Sequence, residues 1–586
     1  MDEGRGSKQQ VTTPAALDRF STFPSGWISD LARLSPNQEP TVAAECRAHA
    51  LRHPFGRSPG ARRSRLSPEV AAIPRSTMRI PLTIAILSAL AAPVTHAIEI
   101  DERSTALLVL GLAISPTAVA GDLEPPAYAS NLRRTVQLDG AGGQRFAIED
   151  RMRHYKVPGV SVAIVEGCRV VDARGFGYAT PEGRPVRPET VFQAGSVSKV
   201  VASAGALTLV EDGLLLLDED VSRHLGGWAL PRTEAFDHSP VTLRQLLTHS
   251  AGLTVAGFNG YPVGARLPTL TEILEGKPPA NTGPVQIETK PGTRWSYSGG
   301  GFMVMQAMME EASQKSFQDL MREQVLLPAG MQHSVYHPLN EGSAVVDAAT
   351  GTQADGTPIQ GGWLQNPEYA AAGLWSSPSD LSRFAIELVR SMRGEKGALL
   401  EPGSAREMMR RQIGDWGLGL EVSPDGVPVK FSHTGATIGY RTLWLMFPET
   451  CQGATIMINA DEGMALAYEV ARGIADQYRW PDPMVSEHVA YIATTQEVSN
   501  LFIGTYQLRN FPAERFQVER RPGGDLTWSR LGRGHKHLVA SSRDQLLSPD
   551  SGMRLVALER AEGTGIVDTL ELRFPGGINI AERVKP

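Results

Sequence analysis

Along this chain the spacing of apolar and polar positions changes several times, and each change predicts an element. Val160–Val165 and Arg169–Arg174 are rich in Val and other strand formers and flank Glu166-Gly167-Cys168. That pattern predicts a β-hairpin, its second strand continuing through Arg174-Gly175-Phe176-Gly177-Tyr178 into a Gly- and Pro-rich loop. Val200, Val201, Ala204, Leu207 and Val210 fall on one helical stripe, opened by Ser196 and stopped at Gly213. From about 215 to 400 the pattern is mostly helical with long Gly/Pro loops, and Pro378-Ser379-Asp380-Leu381 opens a helix through Arg390. Strand patterns return at Leu418–Val422, Val427–Phe431, Arg441–Phe447 and Ala454–Asn459, and an amphipathic helix follows over Met464–Tyr478. Strands at both ends with helices between predict one sheet built from both halves, a helical insert beside it, and a cleft between the lobes.

The flanks read differently. Residues 481–500 contain Pro481-Asp482-Pro483 and a short helical stretch, and read as a linker. From 501 to 586 short strands alternate with turns at Arg521-Pro522-Gly523-Gly524, Pro549-Asp550-Ser551-Gly552 and Pro575-Gly576-Gly577, which predicts a small antiparallel β domain or barrel. Residues 1–77 lack sustained periodicity and are rich in Pro and Arg, the pattern of a disordered leader or of sequence upstream of the mature protein. In 78–120, Met78-Arg79 precedes the apolar run Ile80–Val94, which ends at Thr95-His96-Ala97 like a secretory signal peptide. A second run, Thr105–Ala120, ends in Ala118-Val119-Ala120-Gly121. Each run is short for a membrane span, and Asp101-Glu102-Arg103 separates them. The expectation is export, periplasmic or secreted, with an N-terminal membrane anchor as the alternative. Residues 121–139 then form a linker, and 140–480 the main domain.

Composition narrows the choice. A length of 586 residues predicts more than one domain, and a net charge of −6 gives no nucleic-acid footprint. Three cysteines (Cys46, Cys168, Cys451) are too few for a disulfide framework, and none sits in a Cys-x-x-Cys pair. There is no His-Glu-x-x-His spacing, and His535-Lys536-His537 reads as a solvated turn. The sequence therefore calls for no metal and no organic cofactor.

The candidate chemistry lies in three segments. In Ser196-Val197-Ser198-Lys199 the hydroxyl and the amine are one helical turn apart, so an amine of lowered pKa can take the proton of a serine nucleophile. Read blandly, the same residues are the N-cap of a surface helix. Trp295-Ser296-Tyr297-Ser298-Gly299-Gly300-Gly301 places a phenol in a Gly-rich turn, able to relay protons if nearby cations lower its pKa; the bland reading is a loop hydroxyl. Phe431-Ser432-His433-Thr434-Gly435-Ala436 leads through Gly439-Tyr440-Arg441 into an apolar strand. There His433 offers a donor or a cation, and a free N–H at Ala436 can join that of Ser196 as an oxyanion hole; the bland reading is a β-turn with a solvated His. Gly56-Arg57-Ser58-Pro59-Gly60 has the Gly-x-Ser-x-Gly spacing of an α/β-hydrolase elbow, but no strand precedes it and a Pro interrupts it.

Taken in order, these segments resemble the serine β-lactamase and penicillin-binding-protein-like hydrolases, the group of class C β-lactamases, D-stereospecific peptidases and related esterases. The resemblance spans about 140–480. It includes Val157-Pro158-Gly159, Glu211-Asp212-Gly213, Thr242-Leu243-Arg244-Gln245-Leu246-Leu247-Thr248-His249-Ser250-Ala251-Gly252-Leu253, and Ala372-Gly373-Leu374-Trp375-Ser376-Ser377 followed by Asp380-Leu381. It implies an α/β (α+β) two-lobed domain, an antiparallel sheet flanked by helices with a helical insert. The C-terminal β segment resembles, more loosely, lipocalin-like modules.

The resemblance implies that Ser196 is acylated by a small ester, amide or β-lactam carbonyl, with Lys199 and Tyr297 jointly handling the proton. His433, Thr434, Gly435 and Ala436, with Gly299, would contact substrate or oxyanion; Ser198 and His249 would be structural. The third motif starts with His433 rather than Lys, and Gly299 stands where the family carries an amide side chain. That leaves room for ester substrates. The alternatives are a β-lactamase or D-peptidase proper, or a slow β-lactam sensor or scaffold. The expected partner is a small molecule or short peptide.

Overall fold

The computed structural model describes residues 125–585, apart from 141–142, 233–235, 237–238, 338, 340–346, 510, 531–532 and 575–576. The leader and both apolar export runs lie outside the described residues. Among the described residues no helix is long and apolar enough to cross a membrane.

A six-stranded antiparallel sheet forms the spine. Its strands are β1 (Gly159–Glu166), β2 (Arg169–Gly177), β3 (Glu421–Val422), β4 (Phe431–Thr437), β5 (Tyr440–Phe447) and β6 (Gln452–Ile458), in the order β2-β1-β6-β5-β4-β3. The first hairpin thus joins the last strands of the domain, as strands at both ends require. β1, β5 and β6 are almost wholly buried, which is why they read as continuous apolar runs rather than alternating ones.

Two cores flank this sheet. On one face, α1 (Ile148–Tyr155) and α5 (Met464–Tyr478) cover Leu443, Leu445 and Phe447. On the other, Trp444 and Met446 meet the helical insert, which includes α2 (Val197–Glu211), α3 (Gly299–Ser313) and α4 (Pro378–Arg393). α2 is buried around nearly its whole circumference from Val197 to Leu209, so it is a core helix and not a capped surface one.

Three sequence expectations shift. The strand expected at Val427–Phe431 begins only at Phe431: Pro428 has no N–H for a ladder, and Val427 and Val429 stay exposed. His433-Thr434-Gly435-Ala436 therefore lies inside a strand and not in a turn. The strand expected at Leu418–Val422 shrinks to Glu421–Val422, because Gly419 takes a positive φ of +83°. Within the stretch read as a linker, Glu487–Val489 pairs in parallel with Val136–Leu138.

Cys168 and Cys451 form a disulfide between the β1–β2 and β5–β6 turns. The cysteine count had suggested no framework, and a count says nothing about which turns the sheet brings together.

The C-terminal region is a closed eight-stranded barrel in which each strand pairs with its chain neighbour: β7 (Gly504–Leu508), β8 (Phe511–Arg520), β9 (Leu526–Arg530), β10 (Arg533–Ser542), β11 (Gln545–Leu547), β12 (Arg554–Arg560), β13 (Val567–Phe574) and β14 (Gly577–Arg583). Phe502, Tyr506, Phe516 and Trp528 help fill its core. His535-Lys536-His537 is part of β10 rather than a turn, with Lys536 set against Glu462. The barrel is fastened to the main domain through Asp550, which takes hydrogen bonds from Arg151 and His154.

Candidate active site

Ser196 is the N-cap of α2, yet its side chain makes no capping bond. The hydroxyl instead lies 3.1 Å from Lys199 Nζ. Gly195 permits this with φ +55°, and a Cβ there would sit 2.4 Å from the Ala436 nitrogen. Gly435 is under a similar constraint, since its Cβ would meet the Ala194 carbonyl oxygen at 1.9 Å. The two glycines let the turn before Ser196 and strand β4 touch backbone to backbone. The turn before Ser196 thereby lies against the backbone of Ala436.

Lys199 is 2 % exposed. Its amine donates to Ser196 Oγ and, at 2.8 Å, to the Ala371 carbonyl, and faces the Tyr297 ring at 5.0 Å. Burial brings its pKa down to about 7. A lysine in this setting is an amine much of the time at neutral pH, and a free amine is a base. Ser198 is occupied in structure: its hydroxyl donates to the Gly195 carbonyl and accepts from Leu374 N–H.

Tyr297 differs from its expectation. Burial holds its phenol well above the ordinary value, against a smaller downward pull from the Ser196 hydroxyl, and no cation lowers it. It is therefore a protonated donor at neutral pH. His249 braces it. The imidazole lies 4.1 Å from the Tyr297 ring, its Nδ1 accepts from Ser298 N–H, and its carbonyl accepts from Ser296 N–H. Both neighbours of Tyr297 are thus tied to one residue.

His433 is also corrected. Its Nδ1 lies 2.6 Å from the Thr434 carbonyl, an oxygen that can only accept, so the proton sits on Nδ1 and Nε2 is an acceptor. Burial first, and then the Lys199 charge, lower its pKa to about 3. It is a neutral imidazole, neither the donor nor the cation toward substrate that the sequence suggested. Its ring stands 6.5 Å from Tyr297 and 5.4 Å from Trp416.

Two of the candidate residues have surroundings that the sequence did not indicate. Thr434 alternates with His433 and lines a cavity on the opposite face of the sheet. Gly299 donates its N–H to the Ala256 carbonyl, and a Cβ there would meet the Phe258 ring at 2.8 Å, so an aromatic ring fills the space where the resemblance places an amide. Sequence reasoning passed over Phe258, Trp416 and the Ala371 carbonyl. Trp416 sits in Gly414-Asp415-Trp416-Gly417, where its only signal was a bulky ring in a glycine turn. Among the described residues no group of three His, Cys, Asp or Glu side chains could hold a metal ion.

The chain is similar to several known proteins. The Beta-lactamase family model matches residues 145–479. Penicillin-binding protein 4 of Amycolatopsis lactamdurans is 26% identical over 54% of this chain and 84% of its own length. D-aminopeptidase of Brucella anthropi is 25% identical over 49% of this chain and 54% of its own. Among solved structures, the octameric penicillin-binding protein homologue from Pyrococcus abyssi is 23% identical with a TM-score of 0.49, covering 74% of this chain and 98% of that one. With the family model matching over more than half of its length, the chain belongs to the beta-lactamase family, whose homologues are serine hydrolases.

Proposed function

We propose that this chain hydrolyses small esters or amides through an acyl-enzyme on Ser196, after export from the cell. The observation that carries the reading is a serine hydroxyl 3.1 Å from a buried amine that has no acid beside it among the described residues and a pKa of about 7. Neutral Lys199 takes the Ser196 proton as the hydroxyl attacks the carbonyl. Tyr297, kept protonated by burial, passes its proton to the leaving group and recovers one from Lys199. The oxyanion forms against the N–H groups of Ser196 and Ala436. Water then releases the acid by the same steps in reverse order.

The neutral imidazole of His433 bears on the substrate. A substrate carboxylate beside the scissile bond needs a fixed cation, and His433 does not supply one. Phe258, packed where an amide would sit, offers no hydrogen bond to a peptide group. Both favour substrates without that carboxylate over β-lactams. The Cys168–Cys451 disulfide supports export, since such bonds persist in oxidising compartments.

A fluorophosphonate probe, with p-nitrophenyl esters, amino acid amides and nitrocefin as substrates, tests the reading. Labelling at Ser196 and turnover of esters or amides above nitrocefin are expected. Labelling that survives in Ser196→Ala would overturn it. Fractionation of cells making the full chain tests export.

A further inference from the structure

A cavity of about 640 Å³ lies behind the strand that carries His433. Side chains of β4 alternate: His433 turns toward Tyr297 and Trp416, while Ser432 and Thr434 turn the other way and line the cavity. Ser432 stands opposite Leu445 and Thr434 opposite Leu443, so the cavity floor is apolar. Glu421 pairs with Ser432 across β3 and β4 and so shares its face, at the cavity wall.

Strand β4 is common to the cavity and the nucleophile: Ser432 and Thr434 line the cavity, and Gly435 and Ala436 meet the turn before Ser196. Among the described residues β3 pairs with β4 only at Phe431 and Ser432, and no strand of this sheet lies on the outer edge of His433–Thr437. An extended substrate lying along that edge sends successive groups to opposite faces. When one reaches Ser196, its neighbour turns into the cavity. The same hairpin carries both walls, for Trp416, packed on Tyr297, is bridged to Glu421.

Three carboxylates line the cavity, and two have cations. Asp415 pairs with Arg411 at 3.3 Å, and Asp482 with Lys430 at 3.1 Å. Glu421 is half-buried, and among the described residues its side chain has neither a hydrogen bond nor an ion pair. Burial raises its pKa to about 7, with Lys430 pulling down and Asp415 pushing up; the Tyr468 phenol also feels its charge. A carboxylate beside an apolar floor, with the neighbouring cation Lys430 of the same cavity already engaged by Asp482, is matched by an incoming ammonium group.

We propose that this cavity is the subsite for an apolar, ammonium-bearing group of the substrate, with Glu421 as its ion-pair partner. The proposal rests on Ser196 being the nucleophile and adds the class of substrate: amino acid esters, amides or short peptides with a free amine near the scissile bond.

The test measures how phenethylamine and its neutral counterpart 2-phenylethanol slow fluorophosphonate labelling of Ser196 in the full chain. Phenethylamine should protect at roughly tenfold lower concentration than the alcohol. Glu421→Gln should erase that advantage, with the alcohol as internal reference. Ser432→Lys, which sets an internal ammonium opposite Glu421, should erase it too. Equal protection by both compounds, or an advantage that survives in either variant, overturns the subsite. Absence of any Ser196 labelling would instead sink the nucleophile reading. Calorimetric binding of phenethylamine, lost in Glu421→Gln if the subsite is real and retained if it is not, then decides the subsite alone.

Discussion

Arg151 and Lys199 are both buried cations, 3 % and 2 % exposed, and the molecule treats them in opposite ways. Arg151, at the seam with the barrel, donates to both oxygens of Glu469 at 2.7 and 2.8 Å and to Asp550 at 2.8 Å. Burial works against its charge, but the Glu469 hydrogen bonds and neighbouring acids more than offset that, and its pKa rises. Lys199 meets only a hydroxyl and a carbonyl, and its pKa falls. Burial with acids fixes a charge; burial without them makes the charge conditional. The first arrangement holds two regions together. The second supplies a base.

The comparison can be broken from either side. The largest effect belongs to the site: Ser196→Ala should lower turnover by on the order of 10⁴-fold or more, and Lys199→Met by about 10³-fold, measured as kcat/KM on a p-nitrophenyl ester. Lys199→Met should also raise the midpoint of denaturant unfolding at pH 7. With a folded pKa near 7 and an unfolded one near 10.4, the unfolded chain binds the extra proton between those values, so the native lysine weakens the fold there. An unchanged or lowered midpoint would mean that the amine is not strained by burial.

At the seam the ordering reverses. Glu469→Gln leaves Arg151 half-paired and should cost about 3–5 kcal/mol of stability, with turnover per folded molecule within about twofold. Asp550 extends this to pH. Burial pushes its carboxyl up, but the His154 hydrogen bond and the Arg134 and Arg151 charges outweigh burial and hold it well below the usual range. Its contribution is present above the ordinary aspartate value and is lost as pH falls below it. A melting temperature flat from pH 6 to pH 2 would contradict that.

Smaller effects sharpen the site. Gly299→Asn should destabilise by about 1–3 kcal/mol through the clash with Phe258, and Phe258→Ala should recover part of the loss. Last, kcat/KM should rise about tenfold per pH unit below about 7 and level off above, because only neutral Lys199 accepts the proton. A profile that falls through pH 7 would move the base elsewhere.

How much of this was written in the chain depended on range. Ser196 and Lys199 are one turn apart, so their meeting needs only a helix, and the apolar stripe of α2 announced one. The apolar strands β5 and β6 were legible for the same reason. What burial does to those groups was not legible. The lowered pKa of Lys199, the neutral His433 and the protonated Tyr297 depend on chain segments far away in sequence that exclude water from them. His433 looked like a cation because residue type carries no information about depth. Phe258 became visible only once the loop before α3 was seen against Gly299, and Glu421 only once β3 was seen to stop short.

The Cys168–Cys451 bridge closes a covalent ring around the whole helical insert, with 283 positions separating its ends. A protease that cuts any loop inside that ring opens it without releasing a fragment, so nicked enzyme runs as one species on a non-reducing gel and as two once thiol is added. The ring also keeps the serine-bearing helix and the histidine-bearing strand on one tethered molecule after such a cut.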